Sequence, residues 1–298
     1  FMAIKSMFGP DIPNNDGCAK PVKLKAPEGT VVHCKFPAAV AARLVIGHYI
    51  TEIIYRALSE VAPNKVIAAS GGTPAQMNVF YGKRNDGRPW HSVIIRGGGM
   101  GASSVSDGNY VYIFPANGAN TPIEIFESDT PLLVENRELL PDSGGPGRMK
   151  GGIGQREVFR VPDDEYAPLP PVNLGIQAGR HIHPPEGLFG GKPGAKAHFL
   201  VNAVSGNPFG LTQLKPGDVV TIDAAGGGGY GNPLEREPER VERDVIEGYV
   251  TLEKAREDYG VIIHPKTLTL DEEETRKLRE SLRKAVTPPN LPLPQREG

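Results

Sequence analysis

Residues 141–154 read PDSGGPGRMKGGIG and set a carboxylate, a hydroxyl, a guanidinium and an ammonium group among six glycines. A carboxylate such as Asp142, placed before Ser143 and Gly144, can orient a water or a substrate. Neighbouring backbone N–H groups can meanwhile bind developing negative charge. Arg148 adds a planar donor fork suited to a carboxylate or phosphate, and Lys150 a second cation. Two more glycine runs carry similar groups. RGGGMGASSVSDG (96–108) presents Gly97, Gly98 and Gly99 and ends on Asp107 before Gly108; AAGGGGYGNP spans 224–233. PIEIFE adds Glu124 and Glu127, three apart, which on a strand would face opposite sides. The candidate catalytic groups are therefore Asp142, Asp107 and Glu127. The candidate substrate contacts are Gly97, Gly98, Gly99, Ser143, Gly144, Arg148 and Lys150. A structural alternative stands beside each of these. Asp before Gly is a common turn former, and Asp142 can brace its loop by accepting N–H bonds from Gly144 or Gly145. Three glycine runs beside strands equally describe tight turns and close backbone packing.

Familiar cofactor motifs are not supported by their context. Gly97, Gly99 and Ala102 fit G-x-G-x-x-A, as Gly226, Gly228 and Gly231 fit its glycine spacing, but no helix follows either run to receive a phosphate. Asn232-Pro233 breaks any helix after the second. No Walker-type loop, G-x-S-x-G elbow, H-E-x-x-H pair or C-x-x-C occurs. His181 and His183 with Glu186 form at best a partial metal site, lacking a third strong ligand, and two prolines follow directly. They read as solvated or hydrogen-bonded histidines, and His48 as a core or interface residue. No metal is expected in this chain.

These groups need a scaffold, and the chain is long enough to supply one. It has 298 residues and a net charge of −2, so nothing global points to nucleic acid or an anionic membrane. Glycine (37) and proline (29) are abundant, yet apolar runs recur, which describes an ordered, loop-rich protein. Cys18 and Cys34 have no metal-type spacing and are too few for a disulfide framework, in keeping with a cytoplasmic setting. No apolar run approaches the roughly 20 residues of a membrane span.

The opening, FMAIKSMFG, keeps helical spacing at Phe1, Ile4, Met7 and Phe8, as though a helix were entered midway; a piece of a longer polypeptide is expected. A long helix is expected over about 38–61. Val40, Leu44, Ile50, Ile54, Leu58 and Val61 mark one face, and packing on two sides is expected. Strands are expected at 92–96, 110–114, 157–161, 172–176, 197–201 and 219–222. Helices return near the end: one opened by Pro238, one capped by Thr251 and closed by Gly260, and one with a capping-box-like start at Asp271 and Glu274. The proline-rich last dozen residues read as a loose tail or an arm on a neighbour.

Several long stretches, in order, resemble the hydantoinase B/oxoprolinase family. They include PDIPNNDGCAKPVKLKAPEGTVV, RGGGMGASSVSDG, NTPIEIFESDTPLLVENRELLPDSGGPGRMKGGIGQ, PPEGLFGGKPGAK and LKPGDVVTIDAAGGGGYGNPLEREPERVERDVIEGYVTLEKAREDYGVI. The resemblance implies a subunit, or the C-terminal region of a fused 5-oxoprolinase, that works with an ATP-binding A-type partner. That partner would carry ATP-Mg and phosphorylate a carbonyl oxygen of a lactam, hydantoin or ketone. The activated intermediate would then be hydrolysed or carboxylated. Family B-type subunits look roughly twice this long, with an N-terminal half that in some members binds a divalent metal, Mn or Zn, through His and Asp. No stretch here matches that half, so the resemblance implies a C-terminal portion without its metal centre, inactive alone.

The expectation is an α+β fold: a strand- and loop-rich, glycine-containing body packed on a long helix (1–235) and a helical C-terminal section (236–298). The leading expectation for function is the B-subunit portion of an ATP-dependent cyclic-amide hydrolase, in a hetero-oligomer with a small-molecule substrate. The alternatives are a portion of an ATP-dependent ketone carboxylase, of acetone or acetophenone type, and a non-catalytic assembly module.

Overall fold

The computed structural model describes residues 1–40, 43–73, 76–116, 118–177 and 179–286. The expected proline-rich tail lies outside the described residues. The chain divides into two compact units, Phe1–Pro233 and Leu234–Gly298.

The first unit opens with three helices, α1 (Met2–Phe8), α2 (Asp16–Ala19) and α3 (Arg43–Leu58). Strands β1 (Gln76–Lys83) and β2 (Pro89–Arg96) follow, then α4 (Ile123–Asp129). Next come β3 (Leu133–Leu139), β4 (Gln155–Arg160), β5 (Leu169–Gln177), β6 (His198–Val201), β7 (Val204–Ser205), β8 (Leu211–Leu214) and β9 (Val219–Asp223). They form a four-stranded sheet, order β2-β1-β5-β8, and a five-stranded sheet, order β3-β4-β9-β6-β7. Neighbouring strands pair antiparallel. Helices and antiparallel sheets together make the fold α+β.

Period-two alternation sets the sandwich core. Phe80 on β1, Val172, Leu174 and Ile176 on β5, Phe159 on β4 and Val220 and Ile222 on β9 are buried in one cluster with Trp90, Phe126 and Phe199. The Phe159 ring lies 5.4 Å, centroid to centroid, from both Phe80 and Phe126. Each such side chain contributes roughly 1.5–3 kcal/mol by leaving water.

Further along the same inner faces the alternation continues with polar residues. Gln76 and Asn78 precede Phe80 on β1, Gln155 and Glu157 precede Phe159 on β4, and all are buried. Arg96, opposite Gln76 in register, pairs with Glu157, and Arg137 approaches the other Glu157 oxygen at 2.5 Å. The Arg96 guanidinium also covers the Phe159 ring, 4.9 Å from its centroid. Burial, and then the nearby Arg137 charge, push Arg96 down to about 9, so it stays protonated at neutral pH.

Two expectations are corrected. The long helix is shorter than expected, and only part of its expected face packs: Ile54 and Leu58 lie against the core that includes the buried Tyr55, whereas Leu44 and Ile50 do not. Leu44 and Ile50 are exposed; α3 is held through its other residues, with Tyr55 Oη 2.7 Å from Ser6 Oγ of α1 and Glu52 accepting from Ser70 N–H. Residues 110–114 form no strand beyond an isolated bridge of Tyr112 to Gly98. Their backbone is drawn elsewhere: Tyr112 N–H donates to Gly98 O and Val111 N–H to Ile153 O.

The second unit holds α5 (Pro238–Ile246), α6 (Leu252–Tyr259) and α7 (Glu272–Val286). Its caps follow the sequence signals. Pro238 sits in the first turn of α5, Thr251 Oγ1 accepts from Lys254 N–H at 3.2 Å, and Asp271 Oδ1 accepts from Glu274 N–H at 3.0 Å. Gly260 closes α6 in the left-handed region, φ 62°. Val241, Val245, Ala255, Tyr259 and Val261 are buried together as its core.

Candidate functional site

The three glycine runs meet. Gly227 N–H donates to Gly152 O, Gly152 N–H to Met100 O and Gly145 N–H to Gly227 O, at 2.7–2.8 Å. Two further segments join them. Gly228 N–H donates to Ala69 O, Gly71 N–H to Gly99 O, Gly229 N–H to Lys192 O and Lys192 N–H to Pro146 O. Residues 68–72, 97–102, 143–154, 185–195 and 224–231 thus form one bundle of chain segments, bonded backbone to backbone outside both sheets. A Cβ on Gly99 would strike Gly152 O and Gly227 N, and one on Gly227 would strike Met100 O. The positive-φ glycines lie mostly elsewhere, among them Gly87 and Gly248. The bundle needs glycine for closeness of approach rather than for φ.

The sequence-selected residues distribute around this bundle. Gly97, Gly98, Gly99, Ser143 and Gly144 are buried within it. Gly99 N–H donates to Ala225 O and Gly98 O accepts from Tyr112 N–H. Ser143 Oγ donates to Leu140 O at 2.6 Å and accepts from Gly154 N–H at 2.9 Å, clamping both ends of its loop. Asp142 occupies the left-handed region, φ 59°, a conformation that Asp tolerates in turns. Arg148 donates from Nη2 to Ser104 O, 2.8 Å. Asp107 and Lys150 come together: Asp107 Oδ1 accepts from Lys150 N–H at 2.7 Å, while the buried Lys150 Nζ reaches Tyr110 Oη at 3.1 Å. Glu127 stands apart on α4, where Oε1 accepts from Val134 N–H at the start of β3, 2.7 Å. Glu124 and Glu127 share that helix instead of a strand.

One edge of the bundle borders a cavity of about 450 Å³ against α3. Glu52, Ile53, Arg56 and Ala57 line it from the helix, and Ile67, Ala69, Arg180, His183, Glu186 and Leu188 from the other side. Glu52 is its best-held group. One oxygen accepts from Ser70 N–H at 3.1 Å and the other pairs with Arg180 Nη2. Arg180 also donates from Nε to Ser70 O at 3.2 Å and covers the Tyr49 ring. Ser70 is the hinge of this arrangement, since its Oγ accepts from Gly101 N–H inside the bundle, 3.0 Å. Burial raises the Glu52 carboxyl above the ordinary range despite the Arg180 charge, with Glu186 adding like-charge repulsion. A carboxyl perturbed by burial and held beside a guanidinium in a cleft is a candidate for proton transfer.

None of the candidate catalytic or substrate-contact residues lines this cavity. Glu52 and Arg180 were missed. The signal for Glu52 was present, since it is the one acidic residue between Arg43 and Leu58 in a mainly apolar segment. Arg180, far away in sequence, offered none. His183 and Glu186 do reach the cavity, but Glu186 pairs with Arg56 at 2.8 Å. Among the described residues no three His, Cys, Asp or Glu side chains converge closely enough to hold a metal ion. Among the described residues no helix is long and apolar enough to cross a membrane.

Residues 1–233 match the hydantoinase B/oxoprolinase family, and the chain belongs to it. It is 35% identical over 285 residues to an uncharacterized protein of Methanocaldococcus jannaschii, covering 93% of this chain and 48% of that protein. It is 28% identical over 279 residues to the caprolactamase subunit beta of Pseudomonas jessenii, covering 84% of this chain and 45% of that subunit. The crystal structure of the ATP-dependent caprolactamase from Pseudomonas jessenii superposes with a TM-score of 0.76 at 26% identity, over 94% of this chain and 50% of that one. Nucleotide-free acetone carboxylase shares the fold, with a TM-score of 0.67 at 24% identity over 79% of this chain and 37% of that one. The chain thus spans about half the length of the curated relatives it matches.

Proposed function

We propose that this chain is part of a B-type subunit in an ATP-dependent hydrolase of cyclic amides, acting with an ATP-binding A-type partner. The observation that carries this reading is the likeness to ATP-dependent caprolactamase across 94% of the chain. The family description, hydantoinase B/oxoprolinase, points to the same cyclic-amide substrates. In the proposed reaction the partner transfers the terminal phosphoryl group of ATP to the amide oxygen. Water then adds to the activated carbon and the ring C–N bond breaks, leaving an acyl phosphate that a second water hydrolyses. For a lactam the products are an amino acid, ADP and phosphate. The likeness to acetone carboxylase, at 24% identity, concerns the fold alone and does not favour ketone carboxylation.

The glycine bundle supports this reading as a frame: it fixes Ser70, and through Ser70 the Glu52–Arg180 pair, with no mobile side chain in between. Glu52 is suited to taking a proton from the attacking water or returning one to the departing nitrogen. The Asp142 loop is a second place where substrate contact is proposed, with Arg148 as its anion partner. The test is reconstitution of the complete B-type subunit with the partner subunit, measuring ATP turnover driven by caprolactam, hydantoin or oxoproline and, separately, by a ketone with bicarbonate. Turnover driven by the cyclic amides is expected; turnover driven only by ketone and bicarbonate would replace this reading with carboxylation. In the same assay Asp142→Asn is expected to lower the rate by about 100-fold if Asp142 handles a proton, and to leave it unchanged if it only shapes the loop.

A further inference from the structure

The cavity against α3 carries two ion pairs with different characters. Glu52 and Arg56 are four residues apart on α3, so their side chains project from one face, about 6 Å apart along the axis. The inner pair is fixed: the Arg180 side chain is 8% exposed, and Ser70 holds both partners. The outer pair, Arg56–Glu186, has side chains 58% and 64% exposed. Water screens such a pair heavily, so it opens easily and releases one guanidinium and one carboxylate into the mouth. Ile53, Ala57, Ile67 and Leu188 supply an apolar wall between the charges. Glu52 and Glu186 line the same cavity, so it presents two carboxylates, each facing a guanidinium. A carboxylate has about four lone-pair sites, so Glu52 can accept a further donor without giving up Ser70 or Arg180.

We propose that this cavity binds a small aliphatic zwitterion whose ammonium group sits between Glu52 and Glu186 and whose carboxylate pairs with Arg56. Its methylene chain lies along Ile53 and Ala57. The choice of an amino acid over a plain amine rests on the cyclic-amide reading, because opening a lactam leaves an amine and a carboxylate on one aliphatic chain. The cavity would then hold the ring-opened product, or sense it.

Calorimetric titration of the purified chain with ε-aminocaproate, hexanoate, hexylamine and caprolactam tests the site. Saturable binding of ε-aminocaproate is expected, at least about tenfold tighter than either singly charged analogue, since each lost end forfeits a charge-assisted bond. Arg56→Gln and Glu186→Gln should each weaken it by about tenfold without lowering Tm, both residues being largely exposed. Equal affinity for hexylamine, indifference to both substitutions, or no saturable binding would overturn the proposal. Turnover with the partner subunit is scored separately. Lactam opening without zwitterion binding removes the site and leaves the hydrolase reading; zwitterion binding without lactam opening leaves the site and removes that reading.

Discussion

The β-sandwich and the glycine bundle of the first unit are held together by opposite means. In the sandwich, Phe80, Phe126 and Phe159 fill the space between sheets, and stability comes from apolar area removed from water. In the bundle, Gly99, Gly152 and Gly227 bring main chains into direct contact, and the cohesion is almost wholly N–H to carbonyl. The sandwich tolerates a change of shape if volume is kept. The bundle tolerates no added atom, whatever its polarity. Ser70 is anchored by main chain on one side and holds Glu52 and Arg180 beside a cavity on the other.

That contrast can be broken at several points. Gly227→Ala should do the most damage, because its Cβ meets backbone at Met100 that no rotamer change can clear. A loss of about 4 kcal/mol or more is expected, read as failure to fold or a collapse of the denaturant midpoint. Gly87→Ala, at an exposed turn with open space around the Cβ position but positive φ, is the control, expected to cost only about 1 kcal/mol. If the two glycines behave alike, the bundle is not closely packed.

Glu157→Gln attacks the polar end of the sandwich. It leaves Arg96 and Arg137 without their shared carboxylate, and chemical denaturation should show a loss of roughly 3 kcal/mol. Replacing Arg96 and Glu157 together with apolar residues of similar volume should cost much less. An equal cost for the double change would mean that the polar end is needed for its charge.

Ser143→Ala is the milder probe of the bundle. It removes one donor to Leu140 O and one acceptor for Gly154 N–H, for an expected loss of about 1–2 kcal/mol in the same measurement. The smallest effect concerns Glu52 and is read from pH. Its folded-state carboxyl is raised, so its favourable contribution is complete below the unfolded value and is lost as pH rises through the folded one. Wild type should therefore gain stability relative to Glu52→Gln as pH falls from neutral into the acid range; no change in the difference would argue against burial as the cause.

Much of the sandwich was legible because alternation is a local signal. The runs at 157–161, 172–176, 197–201 and 219–222 overlap β4, β5, β6 and β9, with bounds that differ by up to three residues. The caps at Thr251, Gly260 and Asp271 were equally local. The bundle was half legible: three glycine runs announced a close approach, but no side chain said what each would approach. Tyr110 to Phe114 looked like a strand for that reason, since its composition is strand-like while its hydrogen bonds go to Gly98 and Ile153. The cavity was the least legible part. Its charged pairs join residues 52 with 180 and 56 with 186, and only the fold brings those positions together.

The bundle also bears on how the first unit responds to temperature. Exposing apolar surface raises the heat capacity of unfolding, whereas exposing peptide groups lowers it. A domain that buries so much bare main chain should unfold with a heat-capacity increment below the usual 12–15 cal/mol/K per residue. Its stability curve would then be flatter than that of an ordinary sandwich of the same size, with a broader working range on both the warm and the cold side.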